Sequence, residues 1–312
     1  MAIPTAYNQV ASNKFKTWLL MFLFTALVFA VVWVFSYVLA NVYGYSSDPL
    51  GLVAIFLIVV GVMNFAAYYW SDKIILGISG AVPVDEKSNR EVYHLVENLC
   101  IAAGTAVPKI YMIDDSAPNA FATGRDPSHA TICFTSGIVE KLDKLELEGV
   151  AAHELSHIRN YDTRLMAAVT ILVGLIALIA DMFFRMMWFG GGRRNNEDRG
   201  GLGAILVVVA IILAILSPII AQLIQLAVSR RRESLADASG ALLTRNPGDL
   251  ADALLKISAD PDPLEAANKG TAHLYIINPF KESHSGGISW FANLFNTHPP
   301  IEERVKALRA MQ

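Results

Sequence analysis

Residues 145–160 read LELEGVAAHELSHIRN, and their apolar positions recur at helical spacing: Leu147, Val150 and Ala151 share a face with Leu155 and Ile158. A helix over Leu145–Asn160 carries His153 and His157 one turn apart. At 3.6 residues per turn both imidazoles leave nearly the same face, close enough to grip one divalent cation, and neutral ring nitrogens suit Zn²⁺. Glu154 stands one residue round the helix, where a carboxylate can act as general base toward a water without itself being a ligand. The chain has seven histidines in 312 residues. A chance His-Glu-x-x-His match then has odds under about one in a hundred, so the pattern predicts a catalytic centre holding one zinc per chain.

Such a centre takes a third protein ligand and leaves one position open. An extension of the same motif by a further histidine would put Gly and His where Asn160 and Thr163 stand. The other source is a carboxylate from a later helix, and Glu233-Ser234-Leu235-Ala236-Asp237 offers one. Its spacing sets both acids on one face. Glu233 could complete the metal site, and Asp237 could accept the free ring N–H of a ligating histidine and fix its tautomer. Alone, this spacing beside Arg230, Arg231 and Arg232 is commonly a solvated helix face; it gains meaning from a His-Glu-x-x-His motif that lacks its ligand. His94, His129, His273 and His284 match no ligand spacing and read as structural or surface residues.

Outward from this core the chain is apolar, with 17% charged residues and a mean hydropathy of +0.42. That is beyond what a soluble domain usually carries. A net charge of −3 gives no global basic field, which sets nucleic acid aside as a partner. Cys100 and Cys133 form no Cys-x-x-Cys pair and read as reduced, half-buried thiols.

Thr17 to Ala40 is an uncharged run long enough to cross a bilayer, with Lys14 and Lys16 before it. A second span runs from about Leu50 to Trp70 and ends in Tyr68-Tyr69-Trp70, rings suited to a headgroup layer. The link Asn41 to Pro49 has no Lys or Arg, so the stretch from Ser71 is expected to face the cytoplasm. Two further apolar blocks, Leu165 to Phe189 and Leu202 to Val228, enclose the polar, glycine-rich segment Gly190 to Gly201. Asp181 and Arg185 interrupt the first, Ser217-Pro218 should kink the second, and Arg193, Arg194 and Arg199 oppose the orientation rule. Four spans are preferred, with two spans and an interfacial hairpin as the alternative.

The expected fold is therefore α+β and mainly helical: a membrane-embedded, zincin-like metalloprotease with about four transmembrane helices and a small β-sheet beside the active-site helix. Residues 1–70 form the N-terminal hairpin and 71–164 the first part of a cytoplasmic catalytic domain. Residues 165–228 form the second hairpin and 229–312 the second part of that domain. Lys109–Ile113, Asn119–Thr123 and Ala130–Phe134 read as short strands, Ser136 as a helix N-cap, and Asp260 to Pro300 as a long loop.

Four segments together resemble the HtpX heat-shock proteases of the M48 family, gluzincins related to the CAAX prenyl protease Ste24 and to a mitochondrial protease. They are HELSH followed by Asp162, RRRESLADASGA from Arg230, APNAFATG from Ala117 to Gly124, and THPPIEER from Thr297 to Arg304. The likeness spans nearly the whole chain. It implies His153, His157 and Glu233 as zinc ligands, Glu154 as catalytic base and Asp237 behind a ligand. It further implies that Asn119, Ala120, Phe121 and Ala122 border the cleft where a substrate peptide adds as a strand, and that His298 steadies the tetrahedral oxyanion. On alternation alone, Phe121 reads equally well as part of a buried core strand, and a His before two prolines as a packing residue.

The implied activity is zinc-dependent hydrolysis of peptide bonds in misfolded or damaged membrane proteins, in the bacterial inner membrane, as quality control under stress. The lipid bilayer and unfolded membrane-protein segments are the implied partners, with homo-oligomerisation and self-cleavage left open. A non-catalytic scaffold or chaperone retaining the fold is one alternative. An intramembrane protease is another, against which Glu146, Glu148, Arg159 and Asp162 around the motif argue.

Overall fold

The computed structural model describes residues 6–43, 49–172, 230–267, 271–277, 279 and 299–312. Two long helices come first, α1 (Ala6–Tyr43) and α2 (Pro49–Tyr69), packed on each other. A short helix α3 (Ser71–Ile78) leads to strand β1 (Val82–Val84) and helix α4 (Arg90–Ala103). Strands β2 (Lys109–Ile113), β3 (Ala120–Gly124) and β4 (Ala130–Thr135) follow, then α5 (Ser136–Lys141) and α6 (Lys144–Arg159). Residues 162–172 continue as helix α7. Beyond the undescribed block lie α8 (Arg230–Thr244), α9 (Pro247–Ala259) and α10 (Ile301–Arg309). The protein is mainly helical with one small mixed sheet.

The four strands run in the order β1-β2-β4-β3. The central pair β2–β4 is parallel, with Ile110 opposite Ile132, and both outer pairs are antiparallel, with Ala120 opposite Phe134. β3 and β4 are buried throughout, so they show no polar–apolar alternation; a strand covered on both faces has none. Alternation sorts them instead between two cores. Ala120, Ala122, Ile132 and Phe134 face α4, α6 and α9, whereas Phe121 and Cys133 face α1, α3 and α7. The sheet is thus the wall between the catalytic helices and the N-terminal helices.

Three expectations are adjusted by the backbone. The N-cap of α5 is Thr135, whose hydroxyl accepts from Ile138 N–H at 3.2 Å; Ser136, read as the cap, is the first helical residue. β1 was not expected, because three residues reading VPV give too short a signal. Both cysteines are free, and they are fully rather than half buried. Desolvation pushes the Cys100 thiol up to about 11 and the Cys133 thiol higher still.

Among the described residues, no helix is long and apolar enough to cross a membrane. The expected spans Thr17 to Ala40 and Leu50 to Trp70 fall on α1 and α2, helices of 38 and 21 residues with parts of their side chains outside the described set. Of the expected spans at 165–189 and 202–228, residues 165–172 are described, as helix, and the rest lie outside the described residues.

Candidate metal centre

Helix α6 starts where the sequence forces it to. Asp143 accepts from the backbone N–H of Leu145 and Glu146, each at 3.0 Å, and Glu146 accepts from Asp143 N–H at 2.8 Å, a complete capping box. Lys256 of α9 sits 2.6 Å from the Glu146 carboxylate and compensates its burial. From Glu146 to Ile158 every residue but Glu148 is buried, because the sheet, α4, α8 and α9 all pack on α6. The amphipathic pattern seen in the sequence becomes a helix enclosed by protein.

The helix ends in a turn with Tyr161 at φ 59°, a left-handed conformation uncommon for a residue with a Cβ. This reversal starts α7 at once and brings Asp162 back beneath His157. On the other side α8 approaches α6 closely at Gly240, where an added Cβ would lie 3.1 Å from His153 N. That approach, with the small Ala236 beside it, lets the Glu233 carboxylate reach the two histidines.

The structure brings His153, His157 and Glu233 together, all three buried. The two Nε2 atoms are 3.2 Å apart. The Glu233 carboxylate lies 3.6 Å from His157 Nε2 and 3.8 Å from His153 Nε2. Donors on a tetrahedral zinc at about 2.0–2.1 Å stand about 3.3 Å from one another, so this triangle is the size one ion requires.

The opposite edges of the rings settle the proton positions. His153 Nδ1 lies 2.9 Å from Asp237 Oδ1, and His157 Nδ1 lies 3.0 Å from Asp162 Oδ2. A carboxylate accepts only, so each Nδ1 carries a proton and each Nε2 points inward. Without a cation the two Nε2 atoms need a proton between them; a metal ion takes the place of that proton beside the Glu233 carboxylate, and the donor set therefore fits one. Asp237 thus lies behind His153.

Arg304 of α10 grips Asp237 through two bonds, Nε to Oδ2 at 2.8 Å and Nη2 to Oδ1 at 2.6 Å, and reaches within 3.8 Å of Glu233. It also donates to Ile276 carbonyl at 3.2 Å. Burial would raise the Asp237 carboxyl, but the Arg304 charge and the His153 bond hold it down at about 2. Burial likewise lowers His157, which is nevertheless driven up to about 9 by Asp162 and by the charge of Glu233. For His153 burial prevails, with help from Arg304 against Asp237, and its pKa falls. Glu154 is pushed up to about 7 by burial, with Glu233 adding to that and His157 opposing it. A carboxylate of that basicity at neutral pH is suited to taking a proton.

Asn119 to Ala122 lie beside this centre, and the Ala122 backbone N–H is near enough to Glu154 to pull its carboxyl down slightly. Asn119 pairs through both main-chain groups with Thr135, which turns the N–H and C=O of Ala120 and Ala122 toward the outer edge of β3. That edge is not wholly open. Ile276 N–H donates to Ala120 carbonyl at 2.9 Å, and the Asn119 side chain donates to Ile277 carbonyl at 3.1 Å. Phe121 points into the core against Tyr275, ring centroids 5.1 Å apart. His298 lies outside the described residues.

Sequence reading missed Asp162 as the partner of His157, Arg304 as the partner of Asp237, and Asn13. Asp162 and Arg304 stand inside segments singled out for resemblance, and buried charges beside histidines were the available signal. Asn13 has no local signal. Of the remaining histidines, His273 is buried, its Nε2 3.0 Å from Thr170, while His94 and His129 pair with Glu97 and Asp126 nearer the surface.

Comparison with known proteins gives the family. The family model described as Peptidase family M48 matches residues 86–312. A protein of Caldanaerobacter subterraneus named Protease HtpX homolog is 43% identical over 100% of this chain and 99% of its own length. Another of that name, from Dictyoglomus thermophilum, is 44% identical over 98% of this chain and 95% of its own. The crystal structure of S. mikatae Ste24p aligns over 94% of this chain and 66% of its own length, at 18% identity and a TM-score of 0.47. On the family match and the end-to-end identity, the chain belongs to peptidase family M48 and is a metalloprotease.

Proposed function

We propose that the protein is a zinc-dependent endopeptidase, held in a membrane by its apolar helices, that hydrolyses peptide bonds in misfolded or damaged membrane proteins. The observation that carries this reading is the inward convergence of His153 Nε2, His157 Nε2 and the Glu233 carboxylate, with Glu154 alongside. These three residues would hold one Zn²⁺. Bound there, the ion would supply Lewis-acid polarisation of the scissile carbonyl and of the attacking water.

The chain's own groups do the rest. Glu154 takes the proton of the attacking water and hands it to the leaving amine. Asp162 and Asp237 keep Nδ1 of each histidine protonated, so the Nε2 lone pairs stay available. The outer edge of β3 aligns the substrate main chain, with Ala122 nearest the base; pairing there has to share or displace the bond from Ile276 to Ala120. His298 is the proposed donor to the oxyanion.

Membrane attachment rests on the helical pair α1 and α2. Trp18, Phe22, Leu23, Phe29, Trp33, Ile58, Val62 and Phe65 are exposed large apolar side chains along it, more than a surface facing water usually carries. The guanidinium of Arg164, just past the metal motif, lies 5.7 Å from the Trp18 ring and 4.8 Å from that of Tyr68. The catalytic centre therefore rests against the base of this pair, which favours a zinc site at the bilayer surface over one within it. With spans at 17–40, 50–70, 165–189 and 202–228 the catalytic parts 71–164 and 229–312 face the cytoplasm, the setting proposed for quality control of bacterial inner-membrane proteins.

In detergent, the purified chain should cleave an unfolded protein such as casein, lose activity to a chelator and regain it with zinc. Glu154→Gln should keep its zinc and lose about 10³-fold in kcat. A fully active Glu154→Gln variant, or activity indifferent to chelation, would contradict the reading.

A further inference from the structure

The α1 helix does more than precede the catalytic domain. Asn13 on its second turn is completely buried, and both hydrogens of its side-chain amide are used about 150 residues further along the chain. One goes to Asn160 carbonyl at 2.9 Å, the other to Asp162 Oδ1 at 2.6 Å. The amide orientation follows from the partners, since both are acceptors and a flipped amide would set its oxygen against the Asp162 carboxylate. The second oxygen of that carboxylate, Oδ2, is the one that holds His157 Nδ1 at 3.0 Å.

We infer that Asn13 is a positioning residue of the metal centre, acting on the ligand His157 through Asp162. A carboxylate that accepts on one oxygen alone can turn about its χ2 torsion; one held on both cannot. Asn13 fixes that torsion, and by bonding Asn160 it also fixes the turn through Tyr161 that carries Asp162. Lys14 lies with its ammonium 4.2 Å from the Tyr161 ring centroid and clamps the same turn from the next position. Among the described residues Arg232 also faces this oxygen, its Nε 3.8 Å from Asp162 Oδ1, too long for a directed bond that would replace the amide, and Lys16 adds its charge to the same carboxylate. The N-terminal helix is thus an outer part of the catalytic site as well as a candidate anchor.

This inference rests on the reading of His153, His157 and Glu233 as a zinc site, and its test separates the two. Zinc affinity is measured on the full detergent-solubilised chain by competition with a chelator. Asn13→Ala should weaken it about tenfold, the low end for a partner outside the ligands, and should shift the visible bands of the cobalt(II)-loaded protein. On an Asp162→Asn background the same change should add little, because the two act in series. Thr17→Val removes a different buried polar group of α1, a hydroxyl whose bond among the described residues goes to Asn13 carbonyl, and should leave zinc affinity within about twofold. Should Asn13→Ala fail to fold, Asn13→Ser, which keeps a single short donor, is expected to give a smaller loss in the same direction. Parent-like affinity in the variants, additive losses in the double variant, or an equal loss in Thr17→Val would overturn the role of Asn13 and leave the zinc site standing. A parent chain that takes up no zinc would overturn both.

Discussion

His153 and His157 leave the same helix one turn apart, yet their outer edges are supported in opposite ways. Asp237 behind His153 is locked by two short bonds from Arg304, a full charge buried beside a full charge. Asp162 behind His157 is held by the neutral amide of Asn13, with Arg232 at a distance. The rings differ accordingly: burial, helped by Arg304, outweighs Asp237 and lowers His153, whereas Asp162 and Glu233 outweigh burial at His157 and raise it to about 9. One arm is stiff and electrically balanced, the other electron-rich and steered by hydrogen bonds. Each arm also draws on a different end of the chain, so the metal centre ties α10 and α1 to the same helix.

The stiff arm should break most expensively. Arg304→Met leaves Asp237 and Glu233 buried without their guanidinium, and stability should fall by about 3–5 kcal/mol, read as a drop in Tm of the metal-free protein. A loss no greater than that of a surface substitution would show that the ion pair is not what holds this side. On the other arm, Asp162→Asn keeps the shape but removes the charge behind His157. Zinc affinity should fall about 10–100-fold, with Tm of the metal-free chain moving less than in Arg304→Met; the reverse ranking would erase the contrast.

Glu233, the proposed third ligand, has its own lever. Gly240→Ala sets a Cβ 3.1 Å from His153 N and 3.3 Å from Ala152 carbonyl carbon, so α8 and α6 have to part by a few tenths of an ångström. A cost of about 1 kcal/mol is expected, together with weaker zinc binding as Glu233 withdraws. The smallest effect belongs far from both arms. Lys141→Ala removes half-exposed pairs to Asp260 and Asp262 and should move neither Tm nor zinc affinity beyond error; a clear loss of zinc there would mean that the centre responds to general loosening and not to its own partners.

Much of the site was legible because it is local. A motif of five residues on one helix places His153, Glu154 and His157, and a four-residue spacing on another places Glu233 and Asp237. Strand positions 109–113 and 130–134 were legible for the same reason, as β-type runs between turn residues. The parts that were not legible are made of contacts across the chain. Arg304 sits 67 residues from the carboxylate it holds and Asn13 149 from its own, and no window of sequence joins them. The turn at Tyr161 was hidden by its residue type, since a tyrosine does not announce a positive φ as a glycine does. The edge of β3 looked free because the residue that pairs with it, Ile276, lies in a stretch read as loop.

The two cysteines, sealed in the sheet and in α4 with their thiols held protonated, have a practical side. Thiol-directed dyes should leave the native fold unmarked, so the wild-type chain is already a silent background for site-directed labelling. A cysteine introduced in place of Ile78 or Val82, exposed by 55% and 58%, would then be the sole reactive handle. Its fluorescence quenching by lipid-borne and by aqueous quenchers would give the depth at which the sheet's β1 corner rides relative to the bilayer.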